Sequence, residues 1–482
     1  MSRAAMMAMI ARRPSVAFAP EQVAGLQVWL DTSEPNSLWT DAGKTTLAVN
    51  GNAVYTWSGS HGTTIDATQA TSGNRPVMST GANGLTALTM DGTASIMTLG
   101  NPTAINFGDT DGFTIFIVFQ PTTGDWGRIL LSKTVSAGGT SERIQLTSGA
   151  SATQRFCRYV TELANEDARS LRTYNYGAPN LGVHQQRLVN QTAYNSTSGN
   201  IPSGAVVDFL RVNSHVGNLR YRMTSNDSAA ATSNPWIVGG WPTPSGMSQK
   251  GKAQLIGIYN RILTQAEVSA VSNFIAARHT ITLESMPTSA QVVYDGNSLV
   301  YGVGASSSDA TIPYLVYGLQ SSKLPFKNLG VGALYTTQMT TDGPARIDPL
   351  FSSAYAKNIL LGWEGSNGMN ATASVTYNDL ATYYAARKAA GWYVIVTTVL
   401  PRGTTYWDSS MEAARIAVNA YLRANYATFG HVLCDIGGDS TIGVQSAASG
   451  TTYYADHIHL NDAGYAIAAP YVKTSIDTVL AM

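Results

Sequence analysis

Two textures divide this chain and predict a multidomain protein, an all-β part followed by an α/β part built on a five-stranded parallel sheet. From about residue 20 to 280, short alternating or apolar runs are separated by Gly, Asn, Asp, Ser and Thr clusters, the pattern of half-buried strands joined by turns. After about residue 290, five apolar runs alternate with helical stretches, which predicts parallel strands with helices on both faces of the sheet. Size agrees: 482 residues exceed a single core, and the two textures reduce a prior of roughly three domains to two.

In the first part the clearest strands are Gly25 to Asp31, Ala53 to Trp57, Ala87 to Gly92 and Phe113 to Phe119. Arg128 to Leu131, Arg155 to Val160, Ala205 to Val212 and Trp236 to Gly240 continue the series. Many short strands without intervening helices mean two packed antiparallel sheets or a barrel. Trp29, Trp57, Trp236 and Trp241 fall in this region, where a tryptophan is either core or a platform for stacking on sugars. A last strand from Gly251 to Tyr259 runs into a helix whose N-cap is Thr264, with Glu267 three residues on completing a capping box.

Glu284 to Ala290 is polar, contains Pro287 and reads as a linker, which divides the chain into an arm (1–19), an all-β domain (20–281), a linker (282–290) and an α/β domain (291–482). The five runs of the second part are Gln291 to Asp295, Phe326 to Val331, Asn358 to Trp363, Trp392 to Leu400 and His431 to Ile436. Between them, Thr376 to Ala390 reads as a helix with Thr376 as N-cap and Gly391 as its stop. Met411 to Tyr426 and Asp462 to Val479 are the next clearest helices, the last capped by Asp462.

Composition narrows the partners. Thirty Lys+Arg balance thirty Asp+Glu, so no global field attracts nucleic acid or anionic lipid. Only 12% of residues are charged, and Ser, Thr, Asn, Gly and 24 Tyr supply the polar surface. A hydrophobic content of 44% excludes disorder, and no apolar run approaches the roughly 18 residues that a membrane span needs. Cys157 and Cys434 fall in different domains and form neither a disulfide framework nor a metal knot. Arg12-Arg13-Pro14 interrupts the apolar start before any small-residue cleavage site, so a short helical arm or tether is expected there rather than a secretory signal.

Parallel α/β sheets place ligands at the carboxyl ends of their strands. After the first run stands Gly296-Asn297-Ser298, after the second Gly330-Val331-Gly332-Ala333, after the third Glu364-Gly365-Ser366-Asn367, and before the final helix Asp456-His457-Ile458-His459. Together they supply a hydroxyl, backbone N–H groups in Gly-rich turns, a side-chain amide, and an Asp with a His three residues on. That is the inventory of a serine hydrolase: nucleophile, oxyanion donors, base and orienting acid. A metal site is not expected, since His457 and His459 have no Cys or Glu cluster beside them.

The order and spacing of these four blocks resemble the SGNH, or GDSL-like, hydrolases. That resemblance implies a three-layer α/β/α domain, Ser298 as nucleophile, His459 as base and Asp456 as its partner. The oxyanion hole would be formed by the backbone of Ser298 and of Gly332 or Ala333, with the Asn367 amide; an Asx-turn is the other reading of Asn367. Trp363 and Glu364 are expected to contribute to a substrate pocket. No metal or organic cofactor is implied. The family's Gly-Asp-Ser reads Gly296-Asn297-Ser298 here, and the literal Gly438-Asp439-Ser440 is rejected as the nucleophile because it would reverse the block order.

The opening Leu26-x-Val28-Trp29-Leu30-Asp31 and the closing Tyr259-Asn260-Arg261-x-Leu263-Thr264-x-x-Glu267 resemble concanavalin A-like, laminin-G-like jelly-roll domains. The pairing resembles phage tail-associated esterases. It implies a carbohydrate O-acetylesterase acting on an acetylated polysaccharide or another ester, without nucleic acid or membrane partners. It further implies an extracellular or virion setting, with attachment or homo-oligomerisation through the N-terminal arm. A lipase or thioesterase, or a non-catalytic binding or virion structural protein, are the rival readings.

Overall fold

The structure is a computed structural model that describes residues 18–107, 112–122, 129–134, 142–147, 155–160, 165–173, 178–188, 206–212, 218–222, 234–241, 248–283 and 289–482. Most of the expected arm, and residues 284–288 of the expected linker, lie outside them.

The first part is antiparallel. One sheet takes its strands in the order 77–80, 86–91, 250–259, 113–121, 180–188, 206–212 and 218–222, with Leu26–Asp31 paired to the other stretch of 250–259. The second runs from Asn165–Thr173 through 155–160, 142–147, 129–134, 236–238, 97–100, 67–68 and 56–57 to Leu38–Trp39. The two share a core: Leu30, Leu88, Ile115, Ile117 and Ile256 of one sheet pack with Trp57, Met97, Leu131 and Trp236 of the other. Period-two alternation places the remaining residues on the opposite face, where Trp29, Phe116, Val118 and Leu255 meet Val268, Val271 and Ile275 of helix Gln265–His279. That helix starts as its sequence predicts, with the Thr264 hydroxyl accepting from Glu267 N at 3.3 Å and Glu267 Oε2 accepting from Thr264 N at 2.8 Å. Trp29, Trp57 and Trp236 are fully buried core residues, so none of the three can stack on a sugar.

The second part holds five parallel strands in the order 432–434, 393–397, 357–363, 290–296, 326–330. Alternate residues of these strands again face opposite ways. Val292, Tyr294, Ile359 and Leu361 pack with Val316 of helix Ile312–Leu319 and with Val472 and Ile476 of helix Asp462–Ala481. Val293, Leu360, Val394 and Val396 pack instead with Met339, Leu380, Tyr384 and Val418 from helices Thr336–Arg346, Ala373–Ala389 and Ser409–Phe429. The edge strand 326–330 also pairs in parallel with 218–222, Leu219 opposite Lys327 and Arg220 opposite Asn328, so the parallel sheet continues into the first antiparallel one.

Two helix starts differ from the sequence reading. The 373–389 helix begins a turn earlier than expected, with Thr372 as its N-cap. Thr376 is buried inside it and donates its hydroxyl to Gly368 O at 2.9 Å. The last helix is capped by Asn461, whose side chain accepts from Gly464 N at 3.1 Å. Asp462 instead faces back to Ser306, accepting from its backbone N at 2.7 Å.

Candidate functional site

Strand Ala290–Gly296, buried throughout, ends in a turn that only glycine permits: Gly296 has φ 156°, and a Cβ there would stand 2.1 Å from Trp363 O. Asn297 then caps the short helix Ser298–Tyr301 by accepting from Leu299 N at 2.8 Å, which fixes Ser298 at the strand's carboxyl end. The Ser298 Oγ lies 2.8 Å from His459 Nε2, and His459 Nδ1 lies 2.7 Å from Asp456 Oδ2. The Asp456 carboxylate also accepts from Ile458 N at 3.1 Å and from His459 N at 2.8 Å, so one acid both folds the loop and orients the ring. With a carboxylate at Nδ1, the proton is assigned to Nδ1 and Nε2 is left as the acceptor facing the serine. Burial works against the Asp456 charge, but the bonds from the His459 backbone and ring and from Ile458 outweigh it and hold its carboxyl below the ordinary value.

The loop carrying His459 docks on Gly304, which has φ 88° and where a Cβ would meet Leu460 O at 2.4 Å. Its other side touches the loop after the fourth strand, Gly403 N donating to His457 O at 2.8 Å. His457 bonds Ala448 O at 3.1 Å through Nδ1 and points away from any ligand set; among the described residues no group of His, Cys, Asp and Glu is placed to hold a metal ion.

The expected oxyanion donors come from three loops. The backbone N–H groups of Ser298, Gly332 and Ala333 have no acceptor among the described residues. Ala333 adopts the left-handed conformation, φ 58°, which a glycine would take without strain. Asn367 is no Asx-turn: its Nδ2 donates to Leu334 O at 3.0 Å, and its Oδ1 accepts from Arg402 Nη2.

What folds the third loop is Glu364. One carboxylate oxygen accepts from Asn367 N at 3.0 Å and Gly368 N at 3.3 Å, the other from Ser366 N at 3.3 Å and from Asn297 Nδ2. This overturns the expectation that Trp363 and Glu364 line a substrate pocket. Both are 1% exposed, Trp363 within the core and Glu364 as the acceptor beneath the loop. Burial pushes the Glu364 carboxyl up to about 7, against the pull of the Gly365, Asn367 and Gly368 N–H groups and the Arg402 cation. The amide at position 297 thereby has a reason: it donates to Glu364, where an aspartate would set two carboxylates face to face.

Arg402 was not singled out from the sequence. It stands just past the fourth parallel strand, Tyr393–Thr397, so the rule that directs attention to strand carboxyl ends reaches it. The Gly438-Asp439-Ser440 sequence is a self-capped turn, with Asp439 accepting from Thr441 N at 2.7 Å, Ile442 N at 2.8 Å and Tyr471 Oη at 2.8 Å.

No protein-family model matches the chain, and no curated protein matches it. Solved structures do show likeness. One is a member of the lipolytic protein G-D-S-L family from Veillonella parvula, 15% identical, covering 39% of this chain and 99% of that one with a TM-score of 0.34. Another is a putative acylhydrolase from Bacteroides fragilis, 21% identical, covering 39% of this chain and 88% of that one with a TM-score of 0.32. A sialidase from Trypanosoma rangeli is 14% identical, covering 53% of this chain and 33% of that one with a TM-score of 0.32.

Proposed function

We propose that this protein is a serine esterase working through an acyl-serine intermediate. The observation that carries the reading is the continuous chain from Asp456 through His459 to Ser298, with both bonds below 3 Å. In the first step His459 Nε2 takes the hydroxyl proton as Ser298 Oγ bonds to the ester carbonyl carbon. The resulting oxyanion is met by the N–H groups of Ser298 and of Gly332 or Ala333, and by the Asn367 amide. The alcohol leaves with the proton from His459. Water, deprotonated by the same ring, then releases the acid, and Asp456 stabilises the imidazolium in both steps.

Within this reading the substrate is an O-acetylated polysaccharide and the alcohol a sugar hydroxyl. A chain with 12% charged residues and zero formal charge supports a neutral or acidic glycan bound without steering. We read the antiparallel part as a jelly-roll domain over 20–281, joined by 282–290 to a three-layer α/β/α hydrolase over 291–482, working outside a cell or on a virion.

Hydrolysis of p-nitrophenyl acetate by the wild type and by Ser298→Ala tests the chemistry: no wild-type turnover, or undiminished turnover in the variant, rejects the esterase. Acetate release from acetylated bacterial polysaccharides tests the substrate. Esterase activity with no release from any of them, and a preference for long acyl chains, would favour a lipase.

A further inference from the structure

The Asn367 amide has two ends of opposite chemistry, an acceptor oxygen and a donor nitrogen, and only the nitrogen can serve an oxyanion. Which end faces the site therefore matters as much as where the residue sits. On one side the Arg402 guanidinium donates Nη2 to Asn367 Oδ1 and, at 3.3 Å, to Ser366 Oγ. A guanidinium has no acceptor, so it can be matched only by the oxygen of the amide. The nitrogen must take the other direction, where one hydrogen goes to Leu334 O and the second has no acceptor among the described residues.

Arg402 is unusual in its setting. Arg346, Arg387, Arg415 and Arg423 each have a carboxylate partner, at 2.5, 3.0, 2.5 and 2.8 Å. Arg402 has no such ion pair among the described residues, and its buried Nε has no hydrogen-bond partner there. The guanidinium lies over the Trp407 ring, 5.5 Å from its centre, within cation–π range. Its loop is tied to the His459 loop through Gly403 and His457. A mostly buried cation that donates to two neutral oxygens of one loop is costly. Glu364, whose charge favours the Arg402 cation, holds the same loop from beneath through the Asn367 and Gly368 N–H groups.

We propose that Arg402 is a positioning residue: it locks the orientation of the Asn367 amide so that Nδ2–H faces the developing oxyanion, with Glu364 clamping the backbone of the same residue. This rests on the reading of Ser298 as nucleophile. Without Arg402 only the bond to Leu334 O orients the amide, and whenever the amide turns, its oxygen repels the oxyanion and catalysis loses the Asn367 donor. The substrate itself need not touch Arg402.

A double-mutant cycle with p-nitrophenyl acetate tests this. Asn367→Ala should lower kcat by about 100-fold, the usual effect of removing one oxyanion donor. Arg402→Gln should lower kcat by about 10- to 100-fold with KM changed less than about threefold, and by less than about threefold further when Asn367 is already Ala. Thermal melts establish that each variant is folded, and Arg402→Met, which has no donor for Asn367 Oδ1, replaces Arg402→Gln in the cycle if the latter is not. Additive losses, a raised KM with kcat unchanged, or no effect of Arg402→Gln would overturn the proposal. Ser298→Ala separates the two levels. If it abolishes turnover while the cycle is additive, only the role of Arg402 falls; if it leaves turnover intact, the nucleophile assignment falls and this inference with it.

Discussion

The substitution Asn297→Asp should harm this protein, and harm it more as the pH rises. In the wild type Asn297 donates Nδ2 to Glu364 and, at 2.9 Å, to Ser366 Oγ, while its Oδ1 accepts from Leu299 N. Aspartate keeps the Leu299 bond and sets a second carboxylate against Glu364. Two such charges at about 4 Å repel by about 4 kcal/mol at an effective dielectric constant near 20, so the pair keeps one proton instead. Glu364 already sits at about 7 against an ordinary 4.5. A carboxyl raised in the folded state contributes stability that is fully present below the unfolded value and lost as the pH rises through the folded one. In the variant that loss continues beyond 7, at about 1.4 kcal/mol per pH unit. The gap to wild type should be under about 1 kcal/mol at pH 6 and about 3 kcal/mol at pH 9, approaching the roughly 4 kcal/mol limit above that. Urea unfolding of both proteins at pH 6, 7.5 and 9 measures it. Adding Glu364→Gln moves the carboxylate to position 297 and the amide to 364. That should abolish the pH slope but leave about 1–3 kcal/mol from Ser366 N, which loses its acceptor. A gap at pH 9 no larger than at pH 6 would refute the argument.

Other outcomes follow from single contacts. Asp456→Asn should lower kcat by about 10³- to 10⁴-fold, because the ring loses the carboxylate that fixes its tautomer; steady-state kinetics checks it. Gly304→Ala should destabilise the fold by about 2–4 kcal/mol and lower activity by shifting the His459 loop, seen in unfolding curves and turnover together. Arg346→Ala should cost about 3–5 kcal/mol by leaving the buried Asp295 carboxylate without its paired cation, read from the denaturant midpoint. Thr264→Ala should cost about 1 kcal/mol by removing the N-cap of helix 265–279, with no change in p-nitrophenyl acetate turnover.

Much of the second part was legible because its signals are local. Five apolar runs mark five strands, and the residues just past the first three gather at the sheet's carboxyl edge with the Asp456–His459 block that precedes the last helix. Helix ends were legible to within a turn. Thr376 reads as a cap because it precedes helical sequence, but the structure puts the cap at Thr372 and Thr376 inside the helix, bonded to Gly368 O. Trp363 and Glu364 misled for a related reason. Trp363 ends a strand and Glu364 follows it, but that strand is central to the sheet, and both side chains are buried there.

What the sequence determined by itself is therefore what repeats or caps at short range: alternation at period two, the Thr264–Glu267 box, and the Asp456–His459 spacing that lets one acid hold its own loop and ring. What only the tertiary structure decided is every pairing that short-range pattern cannot encode. Ser298 meets His459 across 161 positions, Asn297 meets Glu364 across 67, and Arg402 meets Asn367 across 35. An amide reads the same in sequence whether it faces a carboxylate or water, and an arginine the same whether it closes an ion pair or turns another side chain. Their chemistry depends on which partner the fold brings within about 3 Å, because hydrogen bonds and desolvation act through space and fall off within a few ångströms.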